Sequence, residues 1–104
     1  MENLTLDKDG FLQDLTEWSE EVAEYLAHTE GLVLSPAHWE IIFALRNFYQ
    51  ETDVAPAMRP FVKLVNASCG ADKGNSIYLM QLFGESPAKC AAKIAGLPRP
   101  TNCL

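Results

Sequence analysis

The sequence predicts a mostly α-helical single domain of about five helices, with a short β-hairpin at its N-terminus and a mobile arm at its C-terminus. Two observations favour this fold class. Apolar residues recur at helical spacing along most of the 104 residues, and cap-proline pairs and glycines mark where the helical segments begin and end. The expected parts are a hairpin over residues 1–14, a helical body over 15–95 and an arm over 96–104.

The N-terminal segment predicts a hairpin. Leu4-Thr5-Leu6 and Phe11-Leu12-Gln13 flank Asp7-Lys8-Asp9-Gly10, a run of residues that favours turns. Because an isolated hairpin is only marginally stable in water, we expect it to pack against a helix.

The helices are delimited by capping residues and by glycines. The first is expected over about 17–29, capped by Asp14 or Thr16. The second begins at Pro36 after the Ser35 cap and reaches about Gln50. Because the apolar residues of this second helix lie on almost all of its faces, we expect it to be the central buried helix. The remaining three are expected from near Pro60 to Ser68, from Asn75 or Ser76 to Phe83, and from Pro87 to Ala95 before Gly96.

The charge of the chain is unevenly distributed. The net charge is −6, yet residues 1–58 hold two basic against twelve acidic residues, whereas residues 59–104 hold six basic against two acidic ones. Two interpretations stay open. The asymmetry is either an accident of solvated surfaces, or the basic half faces an anionic partner or helps to hold a thiolate.

The chain has three cysteines, Cys69, Cys90 and Cys103, an odd number without zinc-type spacing, so we expect neither a bound metal nor a zinc site. No apolar run reaches 18 residues and the first residues lack the pattern of a signal peptide, so we expect no membrane span and a cytoplasmic location. In a reducing compartment a structural disulfide is not expected. Cys69, before a glycine, and His38, in a first helical turn, are expected to be structural.

Cys103 stands second from the end, on an arm stiffened by Pro98 and Pro100. Cysteine is usually buried, whereas residues near a terminus are usually exposed, so this placement indicates a chain that carries a group on sulfur. The alternative is an inert tail thiol. With Gly96 as the pivot, seven extended residue steps would carry the sulfur roughly 20–25 Å from the helix end.

Several segments of the chain form an ordered pattern: Asp9-Gly10-Phe11-Leu12, Trp18-Ser19-Glu20, Leu34-Ser35-Pro36-Ala37-His38-Trp39-Glu40, Arg46-Asn47-Phe48-Tyr49, Ala55-Pro56-Ala57-Met58-Arg59, Lys73-Gly74-Asn75-Ser76, Pro87-Ala88-Lys89, Lys93-Ile94-Ala95-Gly96-Leu97-Pro98-Arg99-Pro100 and the penultimate Cys103. Together they cover essentially the whole chain and resemble the TusE/DsrC family of sulfur-relay proteins. The resemblance implies a small orthogonal helical domain with an N-terminal hairpin and a mobile arm.

The resemblance also implies a function for TusE-like members. Cys103 would accept a sulfane sulfur as a persulfide from a relay complex similar to TusBCD. It would pass the sulfur to a tRNA 2-thiouridylase similar to MnmA, which makes the 2-thio group of the wobble uridine. Such a relay needs a thiolate and access, and no cofactor.

DsrC-like members carry a second cysteine eleven residues before the penultimate one, and they act with dissimilatory sulfite reductase. That position is Ala92 in this chain. Cys90 is a possible second thiol, but two helical residues turn a side chain by about 200°, so it does not simply replace a cysteine at 92. The single-cysteine, TusE-like role is therefore favoured, and the two-thiol role is the alternative.

Lys93 and Arg99 are candidate contacts for the Cys103 thiolate or for a partner, provided that the arm folds back on the body. While the arm is free, we expect the Cys103 thiol to be unremarkable and to be activated mainly in a partner's site.

A third hypothesis treats the third and fourth helices as a helix-turn-helix that binds DNA. The negative total charge and the absence of Lys or Arg between Ser76 and Phe83 argue against it, because DNA affinity depends on cations near phosphates.

Overall fold

The computed structural model describes residues 4–100, which form five α-helices preceded by a short 3-10 helix. The 3-10 helix spans Leu15–Glu17, and the α-helices are α1 (Glu20–Thr29), α2 (Pro36–Thr52), α3 (Met58–Cys69), α4 (Ser76–Phe83) and α5 (Pro87–Ile94). The mostly helical fold class and the number of helices are thus as predicted. Over residues 4–100, every helix is too short or too polar to cross a membrane.

The N-terminal segment reverses direction, but it is held by one antiparallel bridge, between Leu6 and Leu12. The amide of Asp7 donates to the Phe11 carbonyl at 2.8 Å beside this bridge. No strand is formed within residues 4–100, so the predicted hairpin is not confirmed. The segment does pack on the helices as expected, because Phe11 and Leu12 are both buried in the core.

The first helix begins three residues later than predicted. Asp14 caps the 3-10 helix, its side chain accepting a hydrogen bond from the Thr16 amide. Trp18 then has extended backbone, which interrupts the helical path, and Ser19 caps α1 by accepting from the Val22 amide. Asp14 and Ser19 therefore start two successive elements, whereas the sequence interpretation expected one helix capped by Asp14 or Thr16.

The central helix is α5, so the prediction that α2 is central was wrong. Helix α5 packs against all four other α-helices, and every one of its residues except Lys89 is buried. Its alanines allow these neighbours to approach closely because they add little volume beyond the backbone. Helix α2 instead buries one face, with Ile41, Ile42 and Leu45, while Phe43 remains 41% exposed.

The boundaries of α3 and α4 are close to those predicted. Pro60 is the third residue of α3, where its missing N–H has no intrahelical partner to lose. Gly70 ends α3, and the Asn75 side chain caps α4 by accepting from the Tyr78 amide. These elements place α5 and the chain after it against the N-terminal half.

Candidate functional site

The candidate site is the base of the C-terminal arm, formed by the end of α5 and residues 96–100. Cys103, the predicted sulfur-carrying residue, lies outside the described residues, and its role stays a prediction. The described residues show what positions the chain that leads to it.

Gly96 ends α5 in a left-handed backbone conformation, with φ of +75°. The Gly96 amide donates to the Lys93 carbonyl at 3.1 Å, and the Leu97 amide donates to the Ala92 carbonyl at 2.9 Å. This pair of bonds is a Schellman motif, which closes a helix and turns the chain away from it. Leu97 is 2% exposed, so the first residue after the turn belongs to the core.

Trp18 and Arg46 hold the last carbonyls of α5. The Trp18 indole Nε1 donates to the Ile94 carbonyl at 2.9 Å, and Arg46 Nη1 donates to the Ala95 carbonyl at 2.6 Å. The Arg46 guanidinium also lies over the Trp18 ring, 3.8 Å from its centroid, a cation–π contact. Burial lowers the pKa of Arg46 from its ordinary value, yet an arginine remains charged at any physiological pH. A cation at a helix C-terminus is also favoured by the helix dipole.

Sequence reasoning did not assign this role to Trp18 or Arg46. It included Trp18 in the first helix, expected over about 17–29, and gave Arg46 no function. The available signal was that both residues stand in segments that resemble the TusE/DsrC pattern, and that Arg46 is one of only two cations among residues 1–58.

Lys93, a predicted contact of the Cys103 thiolate, forms an ion pair with another residue of the body. It is 9% exposed, and its Nζ lies 3.2 Å from a Glu30 carboxylate oxygen at the end of α1. A Cβ added at Gly10 would lie 3.0 Å from Nζ, so the ammonium also passes close to the N-terminal turn. The structure therefore joins α1, α5 and the turn through this one side chain.

Arg99, the other predicted contact, is also paired with acidic residues. Its Nη2 lies 3.5 Å from Asp7 Oδ2 and forms a second ion pair with Asp9. Its guanidinium is 5.6 Å from the centroid of the Phe11 ring. Pro100, the next residue, is buried. Residues 96–100 thus contact the body, and the mobile arm expected from residue 96 is not confirmed.

The Asp7 carboxylate is also held by backbone amides. Desolvation raises its pKa, but hydrogen bonds from the Phe11 and Asp9 amides and the charge of Arg99 outweigh that effect, so the pKa of Asp7 lies below its ordinary value. Asp7 is therefore ionised at neutral pH and able to pair with Arg99.

The uneven charge of the chain produces ion pairs between its two parts. Three cations of the second half, Lys73, Lys93 and Arg99, pair with acidic residues of the first half within residues 4–100. Neither interpretation made from the sequence included such pairing. Part of the basic surplus therefore attaches α5 and the arm to the acidic half rather than facing a partner.

Cys90, the possible second thiol, is 7% exposed. Burial, and next the negative charge of Glu30, raise the pKa of Cys90 to about 12. A shallow pocket of about 260 Å³ opens beside it, between Glu85 and Lys89. Solvent can therefore reach the neighbourhood of the Cys90 thiol through this pocket. Cys90 is nevertheless a poor nucleophile, because its thiol stays protonated at neutral pH.

Ala92, the position of the second cysteine in DsrC-like members, is fully buried in the core. Cys69 is half-buried at the end of α3, and burial, followed by the charge of the Glu40 carboxylate, raises its pKa. Both described cysteines thus have structural surroundings, as expected for Cys69. His38 is structural as well: its Nδ1 accepts from the Ser35 amide at 3.1 Å.

Helix α4, the second helix of the helix-turn-helix in the DNA-binding hypothesis, exposes apolar side chains. Ile77 is 70% exposed and Met80 is 46% exposed, and the helix has no cation. Its surface lacks the groups that neutralise phosphates.

Comparison with known proteins is consistent with this geometry. The chain is 51% identical to the Sulfurtransferase TusE homolog of Haemophilus influenzae, over 94% of this chain and 90% of that protein. It is 48% identical to the Sulfurtransferase TusE of Pectobacterium atrosepticum, over 97% and 93%. The crystal structure of the oxidized gamma-subunit of the dissimilatory sulfite reductase (DsrC) from Archaeoglobus fulgidus matches with a TM-score of 0.83 and 45% identity, covering 97% of this chain and 92% of that one.

The fold and the anchored arm define a small helical protein whose C-terminal segment is positioned by the N-terminal half. The family model described as DsrC like protein matches residues 1–104. The chain belongs to the DsrC-like family.

Proposed function

We propose that this chain is a sulfurtransferase that acts as a carrier: it accepts a sulfane sulfur as a persulfide on Cys103 and passes it to a tRNA-thiolating enzyme for 2-thiolation of the wobble uridine. The observation that carries the proposal is the identity of 48–51%, over nearly the whole chain, to relatives named Sulfurtransferase TusE or TusE homolog. A donor complex similar to TusBCD and an acceptor similar to MnmA complete the proposed relay, which operates in the cytoplasm.

The proposed step is a thiol–persulfide exchange. The Cys103 thiolate attacks the outer sulfur of a donor persulfide, the donor S–S bond breaks, and the donor leaves as a thiolate. One S–S bond forms as one breaks, so no external oxidant or reductant is required. In the second step a thiolate of the acceptor removes the outer sulfur from Cys103 in the same way.

The surroundings of the other thiols support the assignment to Cys103. Cys90 remains protonated at neutral pH because its pKa is raised to about 12. The pKa of Cys69 is also raised, by its burial and by Glu40. Both described cysteines are thus disfavoured as nucleophiles, which leaves the thiol on the arm.

Intact-mass analysis after incubation with glutathione persulfide tests the proposal. We expect one added sulfur atom, located on the peptide that ends in Leu104, in the wild type and in a matched Cys69→Ser/Cys90→Ala variant. The Cys103→Ser variant should gain none while keeping the wild-type melting temperature. Sulfur on Cys90 or Cys69 instead, or an equal gain in Cys103→Ser, would refute the assignment.

The second candidate function is that of a two-thiol partner of a dissimilatory sulfite reductase. The likeness to the gamma-subunit named above favours it. Ala92 and the raised pKa of Cys90 oppose it, because the chain then lacks a ready second thiol. Thiol counting on the monomer after mild oxidation separates the two: this candidate requires the loss of two thiols through a link between Cys90 and Cys103.

A further inference from the structure

An open groove of about 370 Å³ runs between α2 and α3. On α2 its lining residues recur at helical spacing and are Glu40, Phe43, Ala44, Asn47, Phe48 and Glu51. The side of α3 contributes three uncharged residues, Leu64, Ser68 and Cys69. From Glu40 to Glu51 the groove follows α2 for about 16 Å, or about three helical turns.

Two phenylalanines of the groove are left out of the hydrophobic core. Phe43 is 41% exposed, and Phe48 is half-buried without packing against the core of residues 4–100. Phe43 is nevertheless fixed in place: its ring stacks on Trp39, with centroids 5.7 Å apart, and lies edge to face with the Trp18 ring at 6.3 Å. An aromatic side chain that is already held in position loses little conformational entropy on binding, so Phe43 is suited to anchor an interface.

The groove is negatively charged at one end. Lys73 neutralises Glu40, with 2.7 Å between Nζ and the carboxylate oxygen. Glu51 is exposed and forms no ion pair within residues 4–100, and the last turn of α2 has no basic residue. Since the C-terminus of a helix has a partial negative charge, Glu51 and the end of α2 together favour a cation from outside the described chain.

The same charge decides between the possible occupants of the groove. Residues 1–58, which include α2, hold two basic against twelve acidic residues. A second copy docked through the same face, a nucleic acid or an anionic lipid surface would bring further negative charge against Glu51. A protein segment with apolar side chains in its middle and a Lys or Arg at one end matches the groove instead. Because two packed helices present a groove into which the side chains of a third helix fit, this segment is best accommodated as a helix.

We propose that the groove between α2 and α3 binds an amphipathic helical segment of a partner protein, with apolar side chains packed between Phe43 and Phe48 and with a Lys or Arg paired to Glu51. This docking surface belongs to the helical body, and no thiol chemistry takes part in it. The proposal therefore goes beyond sulfur transfer by Cys103 and is tested independently of it.

NMR titration of the ¹⁵N-labelled full chain with two synthetic peptides of about 15 residues tests the proposal. Both peptides place Leu on one face of a helix. The basic peptide carries Lys on the flanks of that face, and the acidic peptide carries Glu at the same positions. We expect the basic peptide to shift the amides of residues 43–51 and 64–69, and the acidic peptide to leave them unchanged.

Three variants locate the binding. Glu51→Lys should weaken binding of the basic peptide about threefold to tenfold and should allow the acidic peptide to bind. Phe43→Ala removes the anchor and should weaken binding of the basic peptide about 30-fold. Ala44→Gln should also weaken it, because the longer side chain fills the floor of the groove without a change of charge.

Glu24→Lys is the matched control. Glu24 is exposed on α1 and forms no ion pair within residues 4–100, and its replacement changes the net charge as Glu51→Lys does. It should leave the affinity for both peptides unchanged, which separates binding in the groove from attraction to the net charge of the chain.

Absence of binding, shifts confined to another face, or equal weakening by Glu24→Lys and Glu51→Lys would overturn the proposal. Unchanged binding in both Phe43→Ala and Ala44→Gln would do the same. Sedimentation of the wild type alone tests a second copy as the occupant, and a dimer that Phe43→Ala dissociates would contradict a partner protein. The Cys103→Ser variant should bind the basic peptide as the wild type does, so a failure of sulfur loading on Cys103 leaves this result unaffected.

Discussion

The substitution Gly96→Ala tests whether the end of α5 is fixed by the contact of its backbone with Trp18. Gly96 has φ of +75°, a conformation that costs an L-residue about 1–2 kcal/mol. An added Cβ would lie 2.4 Å from Trp18 Cδ1 and 2.8 Å from Cγ, far inside van der Waals contact. The indole cannot withdraw without loss, because it donates to the Ile94 carbonyl and supports the Arg46 guanidinium.

The size of the effect follows from these two costs. Forcing extra volume into packed surroundings costs about 1–3 kcal/mol. Added to the backbone strain, this gives a loss of about 2–5 kcal/mol in the free energy of unfolding for Gly96→Ala. At about 4–8 °C per kcal/mol, the melting temperature should fall by at least about 8 °C.

Gly31→Ala is the matched control. Gly31 follows α1 in an equivalent Schellman motif, with φ of +74°, and no atom lies within 4 Å of an added Cβ. Only the backbone strain of about 1–2 kcal/mol applies there. Urea unfolding of both variants should show a larger loss for Gly96→Ala, by about 1–3 kcal/mol. Equal losses would refute the reasoning that Trp18 restricts this position.

Three further predictions concern other residues of the site. At pH 8, neutral iodoacetamide should alkylate Cys90 roughly a hundredfold more slowly than a free thiol, because its much smaller thiolate fraction is only partly offset by the higher nucleophilicity of a more basic thiolate. The rate should rise about tenfold per pH unit between about pH 7 and 9, and rates equal to those of Cys103 would contradict the raised pKa. Leu97→Ala should lower the free energy of unfolding by about 2–5 kcal/mol in urea, because the side chain is fully packed; a loss near zero would show that the arm is not anchored there. His38→Ala should cost about 1–3 kcal/mol by the same measurement, because it leaves the Ser35 amide and the Leu82 carbonyl without their partner; a neutral effect would contradict this.

Much of the helical architecture was predictable because its signals are local. The Ser35-Pro36 and Ser86-Pro87 pairs fix helix starts through the geometry of the first turn, and Gly70 and Gly96 mark ends where the backbone leaves the helical region. These preferences depend on neighbouring residues only, so the sequence contains them in full. The sequence interpretation expected one helix capped by Asp14 or Thr16 and missed the second start at Ser19, because nothing local indicates that Trp18 turns toward α5.

The identity of the central helix was not predictable from local pattern. Helix α2 has the more apolar sequence, yet α5 is central because Ala91, Ala92 and Ala95 let neighbouring helices approach it closely. The apolar content of a helix indicates how strongly its burial stabilises the fold. Close packing depends instead on which side chains fit together.

For the site, the sequence by itself determined the candidate: the penultimate position of Cys103, the absence of a cysteine at position 92, and the family that these residues indicate. Only the tertiary structure decided how the arm is attached. Trp18, Arg46 and Asp7 contact the C-terminal part of the described chain from positions 49 to 92 residues away in sequence. Such ion pairs and hydrogen bonds depend on distances of a few ångströms, which the folding of the whole chain sets and no local sequence pattern specifies.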